Sequence, residues 1–253
     1  MSGHNKWANI KHRKGAQDKK RSTLFTKLIR ELTIAAKEGG GDADSNPRLR
    51  AAVDKAREGN MPKDTIEKAI KRGTGELEGV EYVEVMYEGY GPAGVAMLVY
   101  TTTDNKNRTA QEVRHVFSKY GGNLAESGAV SWTFEKKGRF FIEQSEISDM
   151  DQFVLESIDF GADDVDDSSD PVTLFTLPEN LMRLADTLTE KGLHPKEIEF
   201  TYEPKNRVAV TGKDAEKVML LISKLEDLDD VQNVFANFDI ADEELEASMA
   251  EID

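Results

Sequence analysis

Few side chains in this sequence stand in patterns that make or break bonds. The 253 residues contain four histidines, at positions 4, 12, 115 and 194, and no cysteine. Without cysteine there is no thiol nucleophile, thiolate metal ligand or disulfide. General acid–base catalysis needs a group of matched pKa held beside the reacting atoms. His4 and His12 sit in a cationic arm, His115 lies beside the apolar face of a helix pattern, and His194 precedes Pro195 in a turn. No Ser/His/Asp pattern, P-loop or HExxH string accompanies them. The run Asp163, Asp164, Asp166, Asp167 and Asp170 invites calcium, but it lacks the turn glycine and the closing glutamate of an EF loop. It reads as a solvated hairpin. Gly89, Gly91 and Gly94 match G-x-G-x-x-G, yet Pro92 lies inside and a strand-like run follows. The helix N-terminus that holds a pyrophosphate is therefore missing, and a hairpin turn is expected. The sequence predicts no enzyme, no metal and no cofactor, and no small-molecule substrate is evident. A metal-dependent nuclease is the enzyme reading weighed against this.

What remains is ionic chemistry. The stretch "GHNKWANIKHRKGAQDKKRS" carries Lys6, Lys11, Arg13, Lys14, Lys19, Lys20 and Arg21 against Asp18 alone, and Lys27 and Arg30 follow. The whole chain has a formal net charge of −15, so the charge is divided unevenly. Residues 1–75 hold 18 Lys/Arg and 9 Asp/Glu, and the rest hold 15 and 39. Such asymmetry marks a basic element that meets a polyanion. Trp7, set among Lys6, Asn9 and Lys11, suits stacking on a base or ribose, or anchoring of the arm. His12 suits a polar contact to phosphate. Arg48, Arg50 and Lys63 lie off the apolar stripes, as do Lys68, Lys71 and Arg72. A second basic point is "TTTDNKNRTAQEVRH", where Asn105 and Arg108 stand at a strand-to-helix turn whose free N–H groups favour phosphate.

Three helical patterns position the basic residues. Leu24, Leu28 and Leu32 mark a helix over about 17–37, stopped by Gly39-Gly40-Gly41. Asn46-Pro47 open a second helix that ends at Gly59-Asn60, and Pro62 opens a third that ends at Gly73. Beyond Val80 the pattern alternates strands and helices. Residues 139–202 read βαββαβ, the ferredoxin-like order. Val95–Thr102, Asn107–Tyr120, Val130–Glu135, "RVAVTG", Asp214–Leu225 and "VQNVFANF" read as a second βαββαβ whose middle hairpin is interrupted by the first. The expected fold is α+β: an N-terminal three-helix bundle followed by two ferredoxin-like domains, one inserted in the other. The boundaries are 1–78 for arm and bundle, 79–135 with 206–240 for the discontinuous domain, 136–205 for the insert, and 241–253 for an acidic, solvated tail. No apolar run approaches the ~20 residues of a membrane helix, and no signal-peptide core is present, so a cytoplasmic protein without membrane contact is expected.

The strings "GHNKWANIKHRK", "FTKLIRELTIAAKEGGGDADSNPRLRAAVDKA" and "NMPKDTIEKAIKRGTGE" resemble the YebC/PmpR family, and the resemblance continues through "YEGYGPAGVAMLVYTTTDNKNRTAQEVRHVFSKYGGNLAESGAVSWTF". It covers nearly the whole chain. The chain departs from the family pattern at Asn5 and Ala43, where serine and proline are expected. The resemblance implies a three-domain cytosolic regulator of gene expression. Such proteins are labelled DNA-binding transcriptional regulators, with mitochondrial translational activators and ribosome-associated translation factors that contact ribosomal RNA among their relatives. The expected partner is nucleic acid, either DNA or ribosomal RNA. A protein–protein adaptor, with the acidic domains on the ribosome or other basic proteins, is the alternative.

Overall fold

The computed structural model describes residues 19–168, 170–241 and 243–245, with side chains from residue 22 on. In chain order the elements begin with α1 (Lys19–Gly39), α2 (Pro47–Glu58) and α3 (Lys63–Gly73). Then come β1 (Val83–Tyr90), β2 (Ala96–Thr103), α4 (Lys106–Lys119) and β3 (Asn123–Leu124). Next are β4 (Phe134–Ile142), α5 (Met150–Phe160), β5 (Asp164–Asp166), β6 (Val172–Thr176), α6 (Leu181–Glu190) and β7 (Glu197–Pro204). The last are β8 (Val208–Ala209), α7 (Gly212–Glu226), β9 (Val231–Ala236) and β10 (Phe238–Asp239). Two compact units result. One is Phe134–Lys205, and the other holds the described residues up to Thr133 and from Asn206 on. The fold is α+β, with a helical N-terminal region and antiparallel sheets.

The helical region closes on small residues and one asparagine. Leu28, Leu32, Ala35 and Ala36 of α1 bury against Leu49, Ala52 and Ala56 of α2 and Ile66 and Ala69 of α3. Gly40 ends α1 at φ +87°, a backbone region open to glycine. Asn46 then serves two helices. Its side-chain oxygen accepts from the Leu49 N–H at 3.1 Å and caps α2, while its amide donates to the carbonyls of Ala35 (2.7 Å) and Gly40 (2.8 Å) at the end of α1. Gly73 lies against α1 so closely that a Cβ there would collide with the Thr33 carbonyl and the Ala36 methyl.

The inserted unit has the expected βαββαβ order. Its sheet runs β5-β6-β4-β7, antiparallel throughout, with α5 and α6 on one face. Phe140, Ile142, Leu174, Leu184 and Leu188 fill that core. Asp149 caps α5 by accepting from the Gln152 N–H, and Gly161 ends the helix at φ +105°.

The discontinuous unit also has a ferredoxin-like sheet, in the order β3-β1-β2-β9, but its strands are not all those expected. Ser131–Thr133 is a short 3-10 turn rather than strand, and Phe134 already belongs to β4 of the insert. "RVAVTG" supplies only β8, which pairs in parallel with β10 in a separate two-stranded ladder. The inner position next to β2 is filled from upstream by β1. The tight turn at Gly91–Val95, closed by the Gly91 N–H on the Val95 carbonyl (2.7 Å), makes β1 and β2 a hairpin. A short local hairpin closes at lower entropic cost than a pairing across a 70-residue insertion. Phe117 of α4 and Met219, Leu221 and Ile222 of α7 are fully buried in this unit. Beyond it, Ala241 and Glu243 are exposed, but Leu245 is fully buried and its N–H donates to the Ala241 carbonyl at 2.9 Å, so the described part of the expected solvated tail carries one buried anchor.

Candidate nucleic-acid interface

Lys6, Trp7, Lys11, His12, Arg13 and Lys14 lie outside the described residues, as do the side chains of Lys19, Lys20 and Arg21, whose backbone forms the first turn of α1. Farther along α1, Lys27 donates its ammonium to the Glu226 carbonyl at 2.6 Å, at the end of α7. A cation there complements the negative end of the helix. One turn on, the buried Arg30 donates to the Asp229 carbonyl and pairs with Asp230 at 2.7 Å, with its guanidinium over the Tyr82 ring. These contacts fasten α1 to the sheet domain.

Asp230 is the hub of that contact. It is 2 % exposed and accepts from Arg30, from Arg108 (2.8 Å), from the Thr103 hydroxyl (3.0 Å) and from the Thr109 hydroxyl (2.5 Å). Burial pushes its pKa up, but the Thr109 and Arg108 donors and the nearby Arg30 charge outweigh burial and hold the carboxyl below its usual range. Arg108 also pairs with Asp104 at 2.7 Å. Asn105 caps α4 through the Arg108 N–H at 3.1 Å. The Arg108 guanidinium, expected at a phosphate, is turned toward carboxylates of its own domain.

Arg48 is half-buried and meets more carboxylates. It forms a two-point bridge to Glu31 (2.7 and 3.1 Å), pairs with Glu38 (2.6 Å) and Glu84, and donates to the Tyr100 hydroxyl at 3.2 Å. Tyr100 in turn donates to Glu84. Burial and the carboxylates push the Tyr100 phenol far up. The Arg50 guanidinium donates to the Ala43 carbonyl (3.0 Å) and the Asp44 carbonyl (2.5 Å). Lys63 is exposed, with Glu67 at 3.7 Å. Lys68, Lys71 and Arg72 are exposed on α3, away from Ile66 and Ala69, and form no ion pair among the described residues. Of the described cations singled out in the sequence, Lys27, Arg30 and Arg48 hold the helices to the sheet domain, Arg50 and Arg108 turn to partners in their own domains, and Lys63, Lys68, Lys71 and Arg72 face outward on α3. No group of three His, Asp or Glu among the described residues is placed to hold a metal ion, and no described helix is long and apolar enough to cross a membrane.

Models of the TACO1/YebC protein family match the chain twice: the N-terminal domain over residues 5–76, and the second and third domains over residues 82–238. The chain belongs to the TACO1/YebC family. Relatives named "Probable transcriptional regulatory protein" include those of Fervidobacterium nodosum, 61% identical, and Thermotoga maritima, 58% identical. Each match spans the full length of both chains. Among solved structures, a conserved hypothetical protein from Aquifex aeolicus is 45% identical and superposes with a TM-score of 0.81 over 89% of this chain and 93% of that one. Within this TACO1/YebC chain, sequence reasoning missed Asp230 and Glu88, whose roles depend on partners 100 or more and 40 or more residues away. Nothing local in "LDDVQNV" separates Asp230 from Asp229.

Proposed function

We propose that this protein is a non-enzymatic, nucleic-acid-binding regulator of gene expression, acting through its basic N-terminal arm and the outward cations of α3. The observation that carries the reading is the division of charge: 18 Lys/Arg to 9 Asp/Glu in residues 1–75, against 15 to 39 in the rest. The printed name of the relatives points to the same class. Arm residues Lys6, Lys11, Arg13, Lys14, Lys19, Lys20 and Arg21 supply phosphate contacts, Trp7 stacks or anchors, and Lys68, Lys71 and Arg72 extend the cationic face. Arg30 and Arg48 support the interface by docking α1 and α2 onto the sheet.

The test is titration of a ribosomal-RNA fragment and a promoter duplex at rising salt. Each neutralised phosphate contributes about 0.7–0.9 to the slope of log affinity against log salt. Lys11→Glu, Arg13→Glu and Lys14→Glu together should abolish binding without moving the urea midpoint. Normal binding by that variant overturns the assignment of the arm. Crosslinking in cells, followed by sequencing of the attached nucleic acid, separates ribosomal RNA from promoter DNA.

One observation favours a second reading, an adaptor for a basic protein. On α5 of the acidic insert, Leu155 (69 % exposed) and Ile158 (59 %) face outward between Asp151 and Asp159. Binding that persists at high salt in the arm variant, and falls in Leu155→Ser/Ile158→Ser, would favour it.

A further inference from the structure

The sheet of the insert has two faces, and its helices cover one of them. Phe140, Ile142, Val172, Leu174 and Ile198 point into the core shared with α5 and α6. Side chains alternate along a strand, so Arg139, Phe141, Thr173, Phe175 and Thr201 stand on the opposite face. In an antiparallel sheet with helices on one side, the other side commonly meets water. Here it is closed off, for none of these five residues is more than 4 % exposed. The Thr173 hydroxyl is buried without a hydrogen-bond partner among the described residues. The helices of the insert lie across the sheet, so the cover of this face comes from elsewhere.

The register lays the face out in rows. Asp166, Thr173, Phe141 and Glu197 form one, and Asp164, Phe175, Arg139 and Glu199 form the next. Phe141 and Phe175 therefore sit mid-sheet, while the edge strands β5 and β7 add carboxylates on both sides, with Glu203 farther along β7. The cations of this face turn to the insert itself. Arg139 donates to Glu199 at 3.1 Å with its guanidinium over the Phe141 ring, and Lys137 pairs with Asp163 at 3.0 Å. An apolar centre between two acidic margins is complementary to an apolar segment bordered by cations.

Two ends of the chain lie outside the described residues. Residues 246–253 carry Glu246, Glu251 and Asp253 and no cation, so this face repels them. Residues 1–18 carry Trp7 and Ile10, three positions apart, bordered by Lys6, Lys11, Arg13 and Lys14. Extended, that length of chain reaches up to about 60 Å, beyond the breadth of a domain of this size.

We infer that the basic arm docks on the helix-free face of the insert's sheet, with Trp7 and Ile10 against Phe141 and Phe175 and its cations beside Asp164, Asp166, Glu197 and Glu203. This rests on the nucleic-acid reading above and adds regulation to it. The face holds the same cations that grip phosphate, so a polyanion binds only by displacing it. Weak polyanions are thereby refused.

Trp132→Phe leaves Trp7 as the sole indole of the full chain. Without ligand, its emission should be blue-shifted and shielded from acrylamide. In that background Asp164→Asn/Glu197→Gln removes one carboxylate from each edge of the face. It should open Trp7 to the quencher and tighten binding of a 12-nucleotide oligouridine RNA about fivefold, because a larger fraction of the arm is free to bind. Asp186→Asn/Glu190→Gln, at exposed positions of α6, removes the same charge from the other side of the insert and should change neither reading. Urea midpoints check that both variants fold. Trp7 open to acrylamide in the parent, or equally shielded in the edge variant, overturns the docking and leaves the nucleic-acid reading standing as long as the RNA binds. Equal gains of affinity in the two charge variants assign the effect to net charge and also overturn it. Trp7 shielded in the parent and opened in the edge variant, with no RNA bound by either, keeps the docking and overturns the nucleic-acid reading.

Discussion

A carboxylate taken out of water costs several kcal/mol unless donors replace its hydration. Glu88 finds them in three backbone N–H groups, and Asp230 in two guanidinium groups and two hydroxyls. In both, burial pushes the pKa up and the donors overcome it, so each folded pKa lies below its unfolded value. The sign follows. The unfolded chain binds the proton first as pH falls, so the stability these groups contribute is complete above about pH 4–5 and is lost as pH drops through their folded values. Urea midpoints between pH 7 and pH 3 should therefore fall steeply at the acid end, and less steeply in a Glu88→Gln/Asp230→Asn double variant. Equal acid slopes would show that other carboxylates govern the transition. At neutral pH Asp230→Asn should cost about 3 kcal/mol, since it leaves the buried Arg30 without its counter-charge. The same substitution tests the docking role of Arg30, which was chosen from sequence as a phosphate contact. A cation's type and its position off an apolar stripe were visible in sequence. The carboxylate that comes to meet it, 200 positions later in the chain, was not.

At the level of elements, the helices were the most legible. Asn46-Pro47 opens α2 where the capping pattern places it, and the leucine stripe of α1 is the buried stripe. The second task of Asn46, holding the end of α1, could not be read, because it needs the two helices already side by side. Asn46→Ala should cost about 2 kcal/mol, more than an ordinary cap, because the Ala35 carbonyl of α1 and the Gly40 carbonyl just past it lose their donor as well. Gly73 similarly reads as a helix stop, yet it is also the point where α3 approaches α1. Gly73→Ala, usually mild at a helix end, should instead lower the thermal midpoint by several degrees, as overpacking of ~1–3 kcal/mol does in a small domain. A neutral result would mean the two helices can separate without loss. Strands were harder. "AVSWTFE" has strand composition, but Glu88 pulls its first half into a loop, and only Phe134 onward enters a ladder.

For the whole molecule, the composition of the two ends was the clearest sequence signal, and it leads to a salt test. The triple arm variant should show no binding at any salt while keeping its fold, whereas Lys68→Glu/Lys71→Glu/Arg72→Glu should still bind, with a reduced slope. An unchanged slope in the second variant would confine binding to the arm. The insertion itself was legible because the βαββαβ pattern repeats; which strand fills the interrupted sheet was not, since β1 arrives from outside the pattern.

The pairing of Phe134 with Pro204 across β4 and β7 has a practical corollary. Neighbouring antiparallel strands sit about 5 Å apart, so the segment enters and leaves its host through one narrow doorway. A gene lacking codons 134–205, with a few glycine and serine codons in their place, need span almost no gap. The excised cassette, four strands and two helices with a closed apolar interior, can be expressed by itself and its spectrum recorded.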